Sequence, residues 1–482
     1  MLGTDARPAH RLARCSIALI LFGLTLRAYH YGRNPSVWHD EAALILNVIS
    51  KSFVGLLGPL YFAEAGPPLF LWLERAARLL LGDGVFSLRL LPFAASCCAL
   101  VLVAFTARRL LSTAGAVFAI LFFACSRSLL WHASEAKPYA LDVALAALLP
   151  ALACGPLRTW SLEKRLVFYA LVAPIAIMLS YPGCFLMGGV LLSLLPDVWR
   201  SNRPRAWQAL VFLLATTGVA FLLLLAGPIH AQRCPDMESC WTHAFAPWDR
   251  PWRIPLWTVG SMFGLSRYCL DPVGDILLLP ALVGFVSLWK RGKADFVVLL
   301  TAPIVLAFVA ACLRAYPFDS SRVIVFAAPA MVLGAGEGCA ALFARLLQPV
   351  KMASPILVWG RWCALAAVAL LLAAPIGRAI GDVIYPWSRP DVASAAGYVM
   401  KARSAPEMVV GNHWEHAYYF RSLHEQFVFW DGRPLPDVHR VWLIITAGTE
   451  AETDLLCAAA MGFSDLIVIG NALRLLRYRQ EK

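Results

Sequence analysis

The sequence predicts a polytopic α-helical membrane protein with about 11 transmembrane helices, interfacial helices in its first outer loop and a small C-terminal α/β domain. Three observations carry that reading. Of 482 residues, 60% are hydrophobic and 15% charged, whereas a soluble domain is about 25% charged. The apolar residues fall in repeated blocks close to the ~20 residues a bilayer-crossing helix needs. Only the last hundred residues change character: from Val383 to Lys482 there are 11 acidic and 10 basic residues.

In chain order the apolar blocks cover 15–31, 85–107, 112–131, 139–154, 165–181, 183–198, 207–227, 273–289, 294–313, 322–344 and 356–376. The first block follows Arg7, Arg11 and Arg14. It resembles the start of a signal peptide but lacks a clean small-residue cleavage site, so it reads as a retained helix. The segment 67–81 is interrupted by Glu74, Arg75 and Arg78. Charge placement decides its role. If it lies on the surface, the clusters at Arg7, Arg108, Arg158, Arg200, Lys290 and Arg345 all face one side, as cytoplasmic loops require. That arrangement puts the N-terminus in the cytoplasm and the outer loops at 32–84 and 229–272. The chain then divides into a transmembrane domain, 1–382, and a periplasmic α/β domain, 383–482.

In the terminal domain, Met408–Gly411, Trp442–Thr446 and Leu466–Gly470 read as strands, and Asp391–Arg403 and Glu450–Gly462 have helical spacing. Lys plus Arg outnumber Asp plus Glu by 42 to 30, a net charge of +12. In a polytopic chain that excess marks cytoplasmic loops and anionic lipid headgroups rather than nucleic acid. The 13 cysteines form no CxxC pair, and only Cys234 and Cys240 share a polar loop where a bridge is open. High Ala, Leu and Arg content fits a bacterial inner membrane.

Four segments carry ionisable groups at the expected outer interface. WHDEA, Trp38 to Ala42, places Asp40 and Glu41 at a helix N-terminus, where unpaired N–H groups and the helix dipole favour ionised carboxylates. The plainer reading is a pair of helix-start acids on a solvated loop. Next, Gly66, Pro67 and Pro68 turn the chain into an amphipathic helix with Leu69, Trp72, Leu73, Ala76 and Leu80 on one face, and Glu64 stands beside the turn. SEAKPYALD, Ser134 to Asp142, sets Glu135 and Lys137 just outside a span and Tyr139 and Asp142 on one face within it. Ionisable groups at membrane depth are expensive and usually functional; an internal ion pair of Lys137 with Asp142 or Glu135 is the alternative. Finally, RAYPFDSSR ends in Arg322, whose guanidinium suits either a phosphate or snorkelling to headgroups. His132, His230 and His243 lack ligand spacing, and no metal site is assigned to them.

Together WHDEA, PPLFLWL, EAKPYALD and YPFDSSR resemble the integral-membrane glycosyltransferases of the C-type fold that use polyprenyl-phosphate-sugar donors, among them the bacterial aminoarabinose transferases and the protein O-mannosyltransferases. The resemblance is good over about 15–200, looser in the later spans, and general in the terminal domain. It implies that Asp40 activates the acceptor, with Glu41 as its companion and Asp142 as a second acid, while Lys137 occupies the place of a basic residue. From their positions in these segments, Glu64, Glu135 and Tyr139 are expected to bind substrate. Where the aminoarabinose transferases carry a phosphate-binding Lys before the proline turn, this chain has Gly66. Donor-phosphate contact then moves to Lys137, Arg322 or another cation. The implied donor is a polyprenyl-phosphate sugar such as an undecaprenyl phosphate derivative, the acceptor a lipid, glycan or protein, and a need for a divalent cation stays open. Transfer from a lipid phosphate needs an activated nucleophile and cations that stabilise the departing phosphate, which gives a single displacement with inversion. The rival is a lipid-sugar flippase, which would place its charges near the bilayer midplane rather than at one interface.

Overall fold

The computed structural model of the chain describes residues 6–347, 355–387, 389–405, 407–429, 441–446 and 467–470. The chain forms two compact units: Met1–Arg33, Phe53–Pro59 and Ala65–Pro386 make the first, and Asn34–Ser52, Leu60–Glu64 and Trp387–Lys482 the second. Its helices through the first half are α1 (Ala6–Arg33), α2 (His39–Ser50), α3 (Pro68–Leu81), α4 (Val85–Leu110), α5 (Thr113–Cys125), α6 (Arg127–His132), α7 (Tyr139–Cys154), α8 (Leu162–Leu179), α9 (Gly183–Ser201) and α10 (Pro204–Leu224). After the short α11 (His230–Gln232) and α12 (Pro235–Cys240) come α13 (Ile254–Cys269), α14 (Gly274–Lys290), α15 (Ala294–Cys312), α16 (Ala328–Leu347), α17 (Pro355–Ile384), α18 (Val392–Ala402) and α19 (Trp414–Tyr419). Of these, α2, α18 and α19 belong to the second unit.

The first unit is polytopic. Seven described segments are long and apolar enough to cross a membrane: Val85–Leu110, Tyr139–Thr159, Gly183–Ser201, Pro204–Gln232, Ala294–Cys312, Arg322–Leu347 and Trp359–Ile384. An eighth arises if Pro251–Cys269 and Gly274–Lys290, bent by 99° at their junction, form one span. This is fewer than the 11 expected from hydropathy blocks, and the other four blocks show why. Helix α1 buries Arg27 and His30 in its last two turns. Helix α5 has 13 residues and stops at Ser126 before α6 resumes. Helix α8 begins with Glu163, Lys164 and Arg165, and α14 is the bent partner of α13. Arg27 is buried because its guanidinium donates to Ser96 Oγ at 2.9 Å and to the carbonyls of Gly23, Ala124 and Phe123 at 3.0–3.3 Å. Those bonds join α1 to α4 and α5 and answer the cost of a buried charge.

At 14 residues α3 is too short to span, being about 21 Å long against a hydrocarbon core of about 30 Å. The face it packs on the protein is Phe70, Leu71 and Glu74. The periodicity is helical as read, and the apolar stripe is turned outward from the protein, with Leu80 82% exposed. Helix α16 is the hub, with 94% of its apolar window buried against 11% for Trp359–Ile384. It packs on α5 and α14 through Gly334, Gly336 and Gly338, as small residues permit between membrane helices. A Cβ on Gly338 would stand 1.7 Å from the Pro280 carbonyl oxygen, so only hydrogen fits. Buried Glu337 pins the same helix: Arg291 Nη1 donates to its Oε1, and the Ser112 amide and hydroxyl donate to its Oε2 at 2.8 and 3.0 Å.

The second unit holds a parallel sheet of β1 (Met408–Gly411), β2 (Phe427–Phe429), β3 (Val441–Ile445) and β4 (Ile467–Gly470), in the order β2-β1-β3-β4. Val409, Trp442 and Ile444 pack on one face with Val399 of α18 and Phe420; Val410, Leu443 and Ile445 fill the other. Burial on both faces is the usual condition of a parallel sheet. The expected strands are displaced by at most one residue at an end, and the expected helix Asp391–Arg403 is α18. The sequence reading missed β2 and α19, and Glu450–Gly462 lies outside the described residues.

Candidate active site

In the first unit the chemistry gathers at the head of α7. Helix α6 ends at His132, and the turn that follows carries Glu135 and Lys137 before Pro138 caps α7. Glu135 is fully buried. One of its oxygens meets His132 Nδ1 and the other accepts from Trp131 Nε1 at 3.0 Å. His132 in turn engages the Tyr268 hydroxyl of α13 at 2.7 Å. Both carboxylate oxygens of Glu135 therefore serve to fix the turn, and the Lys137 amide donates to the Glu135 carbonyl at 2.9 Å. The Lys137 side chain, 2% exposed, is carried by that rigid turn.

Tyr139 opens α7, and the Arg322 guanidinium stands 6.0 Å from its ring centre. The Tyr139 ring centre is 4.9 Å from that of His132, and the Tyr268 ring is 6.0 Å from His132. One turn further along α7, Asp142 is buried, and its Oδ1 makes no hydrogen bond among the described residues. Ser180 Oγ, in the break between α8 and α9, lies beside it outside hydrogen-bond geometry. Tyr316 lies in the loop between α15 and α16. Burial first, then the charges of Asp142, Cys184 and Tyr139, push its phenol well above the usual value, so it stays a neutral donor, to the Val323 carbonyl at 2.7 Å.

Gly66, the departure noted in the sequence, is held by its backbone. Tyr181 donates to its carbonyl at 2.8 Å, and its amide donates to Gln232 Oε1 at 3.0 Å. A Cβ there would stand 3.0 Å from Leu71. The first unit thus carries Glu135, Lys137, Tyr139, Asp142 and Arg322, with Tyr139 beside both His132 and Arg322, and adds His132, Tyr268, Ser180 and Tyr316, which the sequence reading did not assign.

The second unit carries Asp40, Glu41 and Glu64. Asp40 and Glu41 occupy the first turn of α2 after Trp38, as the WHDEA pattern predicts. Their environments differ. Glu41 is fully buried and paired with Arg389 Nη1 at 3.3 Å, whereas Asp40 is half-buried. Glu64 follows a turn in which Phe62 and Ala63 have positive φ, and Asn47 of α2 holds that turn by bonds to the Tyr61 amide and carbonyl at 2.8 and 3.1 Å. His39, beside Asp40, stacks on Trp414 at 3.8 Å and contacts Glu415 and His413. Burial alone would raise the Glu415 carboxyl, but the His39 hydrogen bond, its own backbone amide and the neighbouring His416 and His413 outweigh it and hold it below the usual range. Arg389, His413 and Glu415 lay beyond any local signal in the sequence. Cys234 and Cys240 are free thiols.

No protein-family profile matches the sequence, and no curated protein matches it. Solved structures do. The oligosaccharyltransferase of Archaeoglobus fulgidus, in complex with zinc and sulfate, superposes with a TM-score of 0.50 at 11% identity, covering 85% of this chain and 62% of its own. The fold is similar to that of C-type membrane glycosyltransferases. The archaeal oligosaccharyltransferase AglB from Archaeoglobus fulgidus, in complex with an inhibitory peptide and a dolichol-phosphate, gives a TM-score of 0.49 at 11% identity over 86% of this chain and 64% of that one. ArnT from Cupriavidus metallidurans, bound to undecaprenyl phosphate, gives 0.48 at 14% identity over 96% and 90%. This chain therefore spans less than two thirds of the archaeal enzyme, and at such identity the likeness is one of fold.

Proposed function

We propose that this chain transfers a glycosyl group from a polyprenyl-phosphate-linked sugar to a lipid, glycan or protein acceptor at the outer face of the membrane. The observation that supports the reading is the head of α7, where Lys137 and Asp142 are both buried within five residues of each other at the end of a span and the Arg322 guanidinium stands 6.0 Å from the Tyr139 ring. A polyprenyl tail remains in the bilayer while its sugar-phosphate sits at the interface, so a receptor for it needs cations at span ends. The fold likeness to an oligosaccharyltransferase supports the same class, as analogy.

In the proposed reaction an acceptor O–H or N–H gives its proton to a carboxylate as its heteroatom bonds to the sugar C1. The C1–O bond to phosphate breaks, and polyprenyl phosphate leaves with the bonding pair. Lys137 and Arg322 stabilise the charge that grows on the phosphate. Asp40 is the acceptor-activating base and Asp142 the second acid. Glu41, buried against Arg389, is assigned as a positioning residue. Glu64, Glu135 and Tyr139 are assigned to substrate binding, Glu135 through the turn it fixes. The protein would act in the inner membrane, with its N-terminus cytoplasmic and residues 383–482 periplasmic.

The test uses purified full-length protein and a labelled polyprenyl-phosphate sugar. Asp40→Asn is expected to fold and bind donor while losing transfer, by roughly 10²–10⁴-fold as for removal of a general base. Lys137→Met is expected to weaken donor binding. Unchanged transfer in Asp40→Asn removes that residue from the mechanism, and donor translocation without product favours the flippase.

A further inference from the structure

We infer that His39, His413 and Glu415 form a binding site for a zinc-type divalent cation within the second unit. The donor atoms already converge. His39 Nδ1 and His413 Nδ1 stand 3.1 Å apart, His39 Nδ1 is 3.3 Å from Glu415 Oε2, and His413 Nδ1 is 3.9 Å from Glu415 Oε1. A tetrahedral zinc ion with bonds of about 2.0–2.1 Å separates its ligand atoms by about 3.3 Å. One donor atom from each residue lies within 4.8 Å of the other two, so a modest inward movement of the side chains closes the set to that spacing.

Two imidazole Nδ1 atoms facing each other share at most one hydrogen, so one of them presents a lone pair to the other ring and to the carboxylate. A divalent cation would accept all three lone pairs at once. Two imidazoles and one carboxylate suit zinc and its first-row neighbours rather than magnesium or calcium, which take oxygen shells. Three protein donors also leave a fourth position for water, as in the open His₂Glu arrangement.

The supports around the ligands fit the same role. His39 lies flat on Trp414 with an interplanar angle of 11°, which fixes its ring direction. Thr446 Oγ1 lies 3.3 Å from Glu415 Oε1 and 3.1 Å from His416 Nε2, so it braces the carboxylate from behind. Glu415 is 2% exposed while the His39 side chain is 40% exposed, which gives an anchored floor with an entrance from solvent. The ion would join the first residue of α2 to the start of α19 and so hold the turn that presents Asp40.

The experiment is zinc binding by the full-length protein in detergent, stripped with EDTA and titrated with ZnCl₂, with retained zinc measured by mass spectrometry. One zinc per chain is expected. Addition of CoCl₂ to the stripped protein is expected to give the visible absorption of a tetrahedral cobalt site. His413→Ala and Glu415→Gln should lose zinc affinity by about 100-fold or more, and Thr446→Val by roughly 10–100-fold. His243→Ala, a histidine paired with Asp319 in the other unit, should bind as the parent does. If the buried Glu415 variant fails to fold, His39→Ala, at the exposed corner, carries the test. Zinc absent from the parent, or retained equally by His39→Ala and His413→Ala, overturns the inference. The readout is independent of glycosyl transfer, so it stands or falls apart from the proposed reaction.

Discussion

Replacing Arg389 by Met separates two readings of Glu41. The guanidinium and the carboxylate are 3.3 Å apart, and their side chains are 2% and 0% exposed. At the effective dielectric of about 20 that suits protein sites, two unit charges at that distance attract by about 5 kcal/mol. Desolvation of two ions offsets most of this, so the intact pair contributes little net stability. Arg389→Met removes the attraction and leaves the desolvation of Glu41 in place. A broken buried pair of this kind costs about 3–5 kcal/mol, which is roughly two to four powers of ten in the folding equilibrium. Glu41→Gln combined with Arg389→Met removes both charges and should recover most of the loss. Pulse proteolysis of the full-length protein, scored by cleavage within the second unit, measures all three variants. If Arg389→Met matches the parent within about 0.5 kcal/mol, or the double variant is no more stable than the single, Glu41 is not held by this pair. Its assignment as a positioning residue then falls, and a direct role beside Asp40 returns.

Other substitutions test the packing. Gly338→Val puts a side chain where the Pro280 carbonyl stands 1.7 Å from the added Cβ. Separation of α14 from α16 should cost about 3 kcal/mol or more, read as lost monodisperse protein on gel filtration; Gly218→Ala, with nothing within 4 Å, should be tolerated. Asp391→Ala removes the oxygen that accepts from the Ser394 amide at 3.3 Å and the Ser36 hydroxyl at 3.0 Å, and should destabilise α18 by about 1 kcal/mol in denaturant titration. Burial alone would raise the Asp391 carboxyl, but those bonds outweigh it and hold it below its ordinary 3.8. A depressed carboxyl stabilises the fold above pH 3.8 and loses that contribution as pH falls through its lowered folded value, so the parent and Asp391→Ala should converge in acid.

What the sequence revealed and what it concealed follow the range of the interactions. Met408–Gly411 was readable as a strand because a β-branched run between polar flanks has few other outcomes, and Val392–Ala402 was readable because Asp391 caps a helical stripe. The head of α7 was readable because Lys and Asp are costly beside an apolar span whatever surrounds them. Span count was less readable: hydropathy averages over Ser126, where the backbone leaves the helix, and over the 99° bend between α13 and α14. Partners remote in sequence leave no local pattern. Arg389 meets Glu41 across 348 positions and His413 meets His39 across 374, and at that distance neither a spacing rule nor a charge run marks them. WHDEA therefore looked like one carboxylate pair with one job, yet folding gives its three ionisable residues three environments. His39 faces His413 and Glu415, Glu41 is fully buried against a buried arginine, and Asp40 is half-buried in the first turn of α2. If Asp40 is the base, the motif needs its neighbours as anchors on both sides, and substitution of His39 or Glu41 should impair transfer only as far as it loosens α2.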